Sequence, residues 1–120
     1  MSEPFNASPV QHLLQAGDAP AAIQQLDKWH ADSAPTSESL YLLAVSCRYA
    51  GDLKRALETI EELHTLAPKF GRGFQEAGHI HLALRNQEQA LSAFQRAVAL
   101  NDSLLASWRA IIKLCSRPEH

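Results

Sequence analysis

The chain has 120 residues, of which 46% are hydrophobic and 20% charged, with a formal charge of −2. That balance suits one soluble globular domain and excludes both a disordered chain and a strongly basic nucleic-acid binder. The charge is uneven: residues 1–66 carry 4 basic and 9 acidic side chains (−5), whereas residues 67–120 carry 7 and 4 (+3), an offset that is common between neighbouring segments of a chain and that could alternatively steer an acidic partner to the C-terminal half.

The N-terminus, MSEPFNASPVQHLLQAG, has neither a basic leader nor a long apolar core, and no apolar run approaches the ~20 residues that span a bilayer. A cytoplasmic protein without membrane contact is expected. Residues 1–8 form a flexible lead-in. Pro9 then suits the first turn of a short helix ending near Ala16. Gly17-Asp18 ends that helix and caps a second one to about Asp32, with Ile23, Leu26 and Trp29 on one face. Ser33 to Ser37 is a linker, since Pro35 disfavours helix at Ala34, and Thr36 or Ser37 caps a third helix to Ala50 with Leu40, Leu43, Ala44 and Cys47 in one stripe.

Gly51 supplies the left-handed residue and Asp52 caps a fourth helix whose inward residues are Ala56, Leu57, Ile60, Leu63 and Leu66. Pro68 stops it. The fifth helix starts near Gly71 and carries Phe74, Ala77, Gly78 and His81 inward. Arg85-Asn86 replaces Gly-Asp at the next turn, with Asn86 and Gln89 as a capping box for a sixth helix that buries Ala90, Leu91, Phe94, Ala97 and Leu100. A last helix runs from Leu104 to about Ser116 with Asp102 or Ser103 as cap, and residues 117–120 are a tail.

The turns recur every 34 residues without insertion: Gly17-Asp18, Gly51-Asp52, Arg85-Asn86, followed each time by Ala22, Ala56 and Ala90. A fixed period of this size means stacked helical hairpins. Ala44 and Gly78 let one helix of a hairpin approach the other, and Ala56 and Ala90 do so from the opposite side. Cys47 and Cys115 lie two periods apart, too far for a disulfide, and read as buried thiols.

Counted from Ser37, the pattern Leu40, Leu43, Ala44, Cys47, Ala56, Ile60, Leu63, Pro68, repeated as Phe74, Ala77, Gly78, His81, Ala90, Phe94, Ala97, Asp102, resembles the tetratricopeptide repeat over about residues 8–116. The resemblance implies an all-α right-handed superhelix of antiparallel helix pairs, about three repeats plus a C-terminal capping helix, with the repeat domain at 9–116. Its concave face is lined by the first helix of each pair and usually grips an extended peptide or a helix.

By that resemblance the groove falls on Glu38, Tyr41, Val45, Arg48 and Tyr49, then Arg72, Gln75, His79, Leu82 and Ala83, then Ala106, Arg109, Lys113 and Arg117, with Gln11, Leu14 and Gln15 in the first repeat. Helical spacing independently places Tyr41, Val45, Arg48 and Tyr49 on one stripe. The contacts expected to matter most are Tyr41, Val45, Arg48, Tyr49, Arg72, Gln75, His79, Arg109 and Lys113. A chaperone-binding subset of the family clamps its partner's carboxylates with Lys, Asn, Asn, Lys and Arg. Here those positions hold Tyr41, Val45, His79, Arg109 and Lys113, so half the clamp is missing.

No catalytic chemistry emerges. His79 and His81 point about 200° apart on a helix and cannot share a metal. Glu58, Glu61 and Glu62 lie opposite an apolar stripe with Arg55 one turn away, and Gly71-Arg72-Gly73 lacks the strand and third glycine of a dinucleotide loop. The chain therefore reads as non-enzymatic, without cofactor or metal, and as a module that binds a peptide or protein segment in its concave groove, an acidic segment being one alternative. The last helix is apolar on more than one side. Trp108, Ile111, Ile112 and Leu114 form a second candidate surface, for homodimerisation, for a partner, or for a following domain, since similar repeat blocks precede catalytic domains, including sulfotransferase-like ones, in bacterial proteins.

Overall fold

The computed structural model describes residues 4–116. Within them lie seven helices: α1 Ser8–Gln15, α2 Ala19–Asp32, α3 Ser37–Tyr49, α4 Leu53–Leu66, α5 Gly71–Ala83, α6 Gln87–Leu100 and α7 Leu105–Cys115. The expected tail, 117–120, lies outside the described residues, as does the start of the lead-in. The described part of the lead-in is docked, with Phe5 edge-on to Trp29 at a centroid distance of 5.0 Å.

The three hairpin turns close in the same way. Asp18, Asp52 and Asn86 donate backbone N–H groups to the carbonyls of Leu13, Cys47 and His81, at 2.8, 2.9 and 2.8 Å, while the preceding residue reaches back to Leu14, Arg48 or Leu82. This paired pattern satisfies the last carbonyls of each leading helix and needs a left-handed residue. Gly17 and Gly51 supply it at φ 81° and 84°, and in the third turn Arg85 adopts φ 64°. Asp18 and Asp52 then accept from Ala21 and Arg55, both at 3.1 Å, as side-chain N-caps.

Two expected caps differ. Asn86 sits at the N-cap of α6 but its side chain makes no capping hydrogen bond, so the box with Gln89 is not formed. The N-cap of α7 is Leu104 rather than Asp102 or Ser103. Asn101 takes the local donors instead, its Oδ1 accepting from the Ser103 backbone and hydroxyl at 3.1 and 2.6 Å. Thr36, by contrast, forms a full capping box with Ser39 at the start of α3.

Each helix packs on its neighbours in sequence, and α1, α3, α5 and α7 also touch in succession along one side, whereas α2, α4 and α6 do not touch one another. Inner helices that meet while outer ones splay produce a curved array, 55 × 26 × 21 Å, concave on the α1–α3–α5–α7 side. On the outer side only long side chains bridge the gap. Arg55 of α4 donates to Asp27 of α2 at 2.5 Å rather than pairing with Glu58 on its own helix.

The core follows the period. Ala22, Leu26, Ala44, Cys47, Ala56, Leu63, Ile80, Ala90, Phe94 and Ala97 have no exposed surface. Gly78 is the tightest point: a Cβ there would lie 2.6 Å from the Phe94 ring, so only glycine lets α6 sit this close to α5. Leu66, expected inward, is 51% exposed because it is the last residue of α4, where the chain already turns away. Cys115, expected buried, is exposed, because no described element covers that side of α7. Cys47 is buried as expected, and burial pushes its thiol up to about 11.

Candidate functional site

The concave face is built by side chains projecting from α3, α5 and α7, and its residues bind one another in a ladder. Arg72 donates to Glu38, its equivalent one repeat earlier, at 2.7 Å, and its guanidinium lies 4.8 Å from the Tyr41 ring and 5.0 Å from the Phe70 ring. Arg48 donates to both oxygens of Glu76 at 2.5 and 3.1 Å. Gln75 accepts from the Ser107 backbone and hydroxyl at 3.1 and 2.7 Å. Because Ser107 is the third residue of α7, Gln75 acts as the N-cap that α7 lacks in its own sequence.

Glu76 was not a candidate from sequence, and its side chain is only 3% exposed. Burial pushes its carboxyl above the usual value, with Arg48 working against that rise. For Arg48 burial disfavours the charge, but the hydrogen bond and charge of Glu76 outweigh it. The only sequence signal was an acidic residue next to Gln75 on an inward stripe. Burial likewise raises the Tyr41 hydroxyl, with a contribution from Glu76.

Of the expected groove contacts, Val45 is buried at 9% exposure, because both α1 and α5 close over the middle of α3. His79 is half-buried, edge-on to Phe94 at 5.1 Å, and its imidazole is held below its usual value first by burial and then by Arg48. Tyr41, Arg48, Arg72 and Gln75 are half-buried and engaged as above. Tyr49 stands free at 65% exposure with Arg48 4.7 Å from its ring. Arg109 and Lys113 are exposed and form no ion pair among the described residues. Arg117 lies outside those residues.

Charge in the groove is thus compensated toward α3 and α5 and uncompensated at α7. There a cavity of about 460 Å³ opens at the α5–α7 seam, lined by Leu82, Gln87, Ala110, Lys113 and Leu114. A larger one, about 750 Å³, lies at the other end between the lead-in, α1 and α2, with Phe5, Val10, Leu13 and Trp29 among its walls. The second candidate surface is also redrawn. Ile111 and Leu114 are half-buried against the array, while Trp108 and Ile112 are exposed together with Leu105, which sequence reading passed over.

His81 faces inward beside this region with its Nδ1 buried and unpartnered, as is Nε2 of His64, which stacks on Phe74 at 3.9 Å. Glu58, Glu61 and Glu62 are all solvent-exposed. Among the described residues no three His, Cys, Asp or Glu side chains converge as metal ligands, and no helix is long and apolar enough to cross a membrane.

Stacked helical hairpins with a side-chain-lined concave face define a helical-repeat array. Residues 72–103 match the family model for the tetratricopeptide repeat. No curated protein matches the chain. Among solved structures it is similar to PcrH from Pseudomonas aeruginosa, with a TM-score of 0.77 and 16% identity over 95% of this chain and 97% of that one. It is similar also to PcrH in complex with the chaperone binding region of PopB, with a TM-score of 0.72, 16% identity and coverages of 96% and 98%. MamA superposes with a TM-score of 0.78 and 13% identity over 88% of this chain, which spans about three fifths (61%) of the MamA chain. At these identities the likeness is one of fold.

Proposed function

We propose that the repeat array over residues 9–116 binds an extended, acidic segment of a protein partner on the C-terminal half of its concave face. The observation that carries this reading is the apolar cavity at the α5–α7 seam with Lys113 on its lining and Arg109 one turn away. Cations with no partner of their own make charge-assisted hydrogen bonds to carboxylates, worth about twice a neutral bond. The cavity beside them takes an aliphatic side chain of the same segment. Arg48 and Arg72, already paired with Glu76 and Glu38, hold the leading helices in register and leave Tyr49 and Leu82 to contact the ligand. Support comes also from the similar fold of PcrH, whose structure has been solved in complex with the chaperone binding region of PopB.

The test is a labelled decapeptide alternating acidic and aliphatic residues, titrated against the wild type and an Arg109→Glu/Lys113→Glu double variant. The expected result is at least tenfold weaker binding with unchanged helical circular dichroism. Equal affinity for the two proteins overturns the groove assignment.

A further inference from the structure

The outer face of α7 carries a second feature that the groove does not use. Leu105, Trp108 and Ile112 are 64%, 40% and 63% exposed and fall at i, i+3 and i+7, with exposed Cys115 continuing the line. Trp108, Ile112 and Cys115 stand one period after Phe74, Gly78 and His81 and two after Leu40, Ala44 and Cys47. In α3 and α5 that face lies under the following antiparallel helix, and Ala44 and Cys47 are wholly covered. In α7 no described element covers it.

We infer that this stripe docks an amphipathic helix of a partner protein, carrying acidic residues on one flank and a small residue at its centre. Charge complementarity sets the first requirement. At 100° per residue Arg109 falls about 40° and Lys113 about 80° beyond Leu105 on the groove side of the stripe, α7 contains no acidic residue, and neither cation is paired among the described residues. Ile112 sets the second. At the equivalent point in α5 the absence of a side chain on Gly78 admits the Phe94 ring. A branched side chain at that point reverses the fit, so the docking helix must bring Ala or Gly against Ile112 where the internal hairpins bring a large residue against Ala or Gly.

The indole of Trp108 is already fixed, its Nε1–H donating to the Asp102 carbonyl at 2.8 Å, so it loses little freedom on docking. A second copy is a poor occupant. The outward residues of α2, α4 and α6 are almost all polar, and pairing α7 with itself would bring Arg109 and Lys113 against their own charges.

The probe is a synthetic 18-residue helical peptide with leucines at i, i+3, i+4 and i+7 around a central alanine and glutamates along one flank, titrated by calorimetry. Micromolar binding is expected, weakened at least tenfold when the glutamates become lysines or the central alanine becomes phenylalanine. Ile112→Glu and Leu105→Lys, both at exposed positions, should each weaken binding at least tenfold. Tyr49→Ser, which tests the groove, should change it less than twofold, so failure of one surface is distinguishable from failure of the other. The inference is overturned if the glutamate peptide does not bind or binds no better than the lysine version. It is also overturned if light scattering shows a dimer that Ile112→Glu dissociates.

Discussion

Gly78→Ala puts a single methyl group at the glycine whose added Cβ would meet the nearest neighbour of any glycine in the chain, and the structure sets two opposing effects. Replacing glycine in a helix interior gains about 1 kcal/mol in propensity. Against it, the new Cβ would stand 2.6 Å from Cε1 and Cζ of Phe94 and 2.7 Å from Cδ1, well inside ordinary van der Waals contact. Phe94 has no exposed surface and is bounded by His79, so the ring cannot swing into solvent. Moving α6 outward by about 1 Å, or forcing the ring off its rotamer, costs roughly 2–3 kcal/mol. The net expectation is a loss of about 1–2 kcal/mol, or roughly 4–8 °C in Tm for a chain of this size. Urea denaturation followed by circular dichroism measures it. In the Gly78→Ala background, Phe94→Leu should be less harmful than in the wild type, by at least 1 kcal/mol of coupling. A Gly78→Ala variant as stable as the parent would show that propensity dominates and that the α5–α6 seam is looser than described.

Arg48→Met strands the Glu76 carboxylate in the interior and should cost about 3 kcal/mol, at the low end for a buried pair because Arg48 is itself 22% exposed. Adding Glu76→Leu should recover most of that loss in the same denaturation assay. His30, His64 and His79 are all held below their usual pKa, first of all by burial, so the folded state resists their protonation. Their contribution is complete above pH 6.5 and is lost as pH falls from there through the lowered folded values. The urea midpoint should therefore fall between pH 7.5 and 5.5, with a shallower fall in His64→Phe, which keeps a ring against Phe74 and cannot take up a proton. With its thiol raised to about 11, Cys47 should resist maleimide at pH 8 until the chain unfolds, whereas exposed Cys115 should react at once, giving one fast equivalent by mass spectrometry.

What could be read from the sequence was whatever repeats locally. The 34-residue period, the Gly17 and Gly51 turns with their Asp caps, and the small residues Ala44, Gly78, Ala56 and Ala90 each act within one hairpin, and the structure places them as expected. Contacts that depend on how hairpins stack were not legible. Arg48–Glu76 and Gln75–Ser107 join residues 28 and 32 apart on successive leading helices, and nothing in either helix alone selects the partner. The same stacking buries Val45 between α1 and α5. Arg85 illustrates a different limit: the turn geometry is dictated by the hairpin, so a residue with no preference for positive φ adopts it at 64°. In α7 the apolar pattern was visible on more than one side, but which half faced inward depended on α5 and α6.

The central claim is that ligand is held by the concave face at its α7 end. Chemical-shift mapping on ¹⁵N-labelled protein, titrated with the acidic-aliphatic decapeptide, tests it most directly. The account predicts perturbations centred on Tyr49, Leu82, Arg109 and Lys113, with α2 and the outer residues of α4 unmoved. Shifts concentrated on those outer helices, or confined to the cavity between α1 and α2, would contradict it.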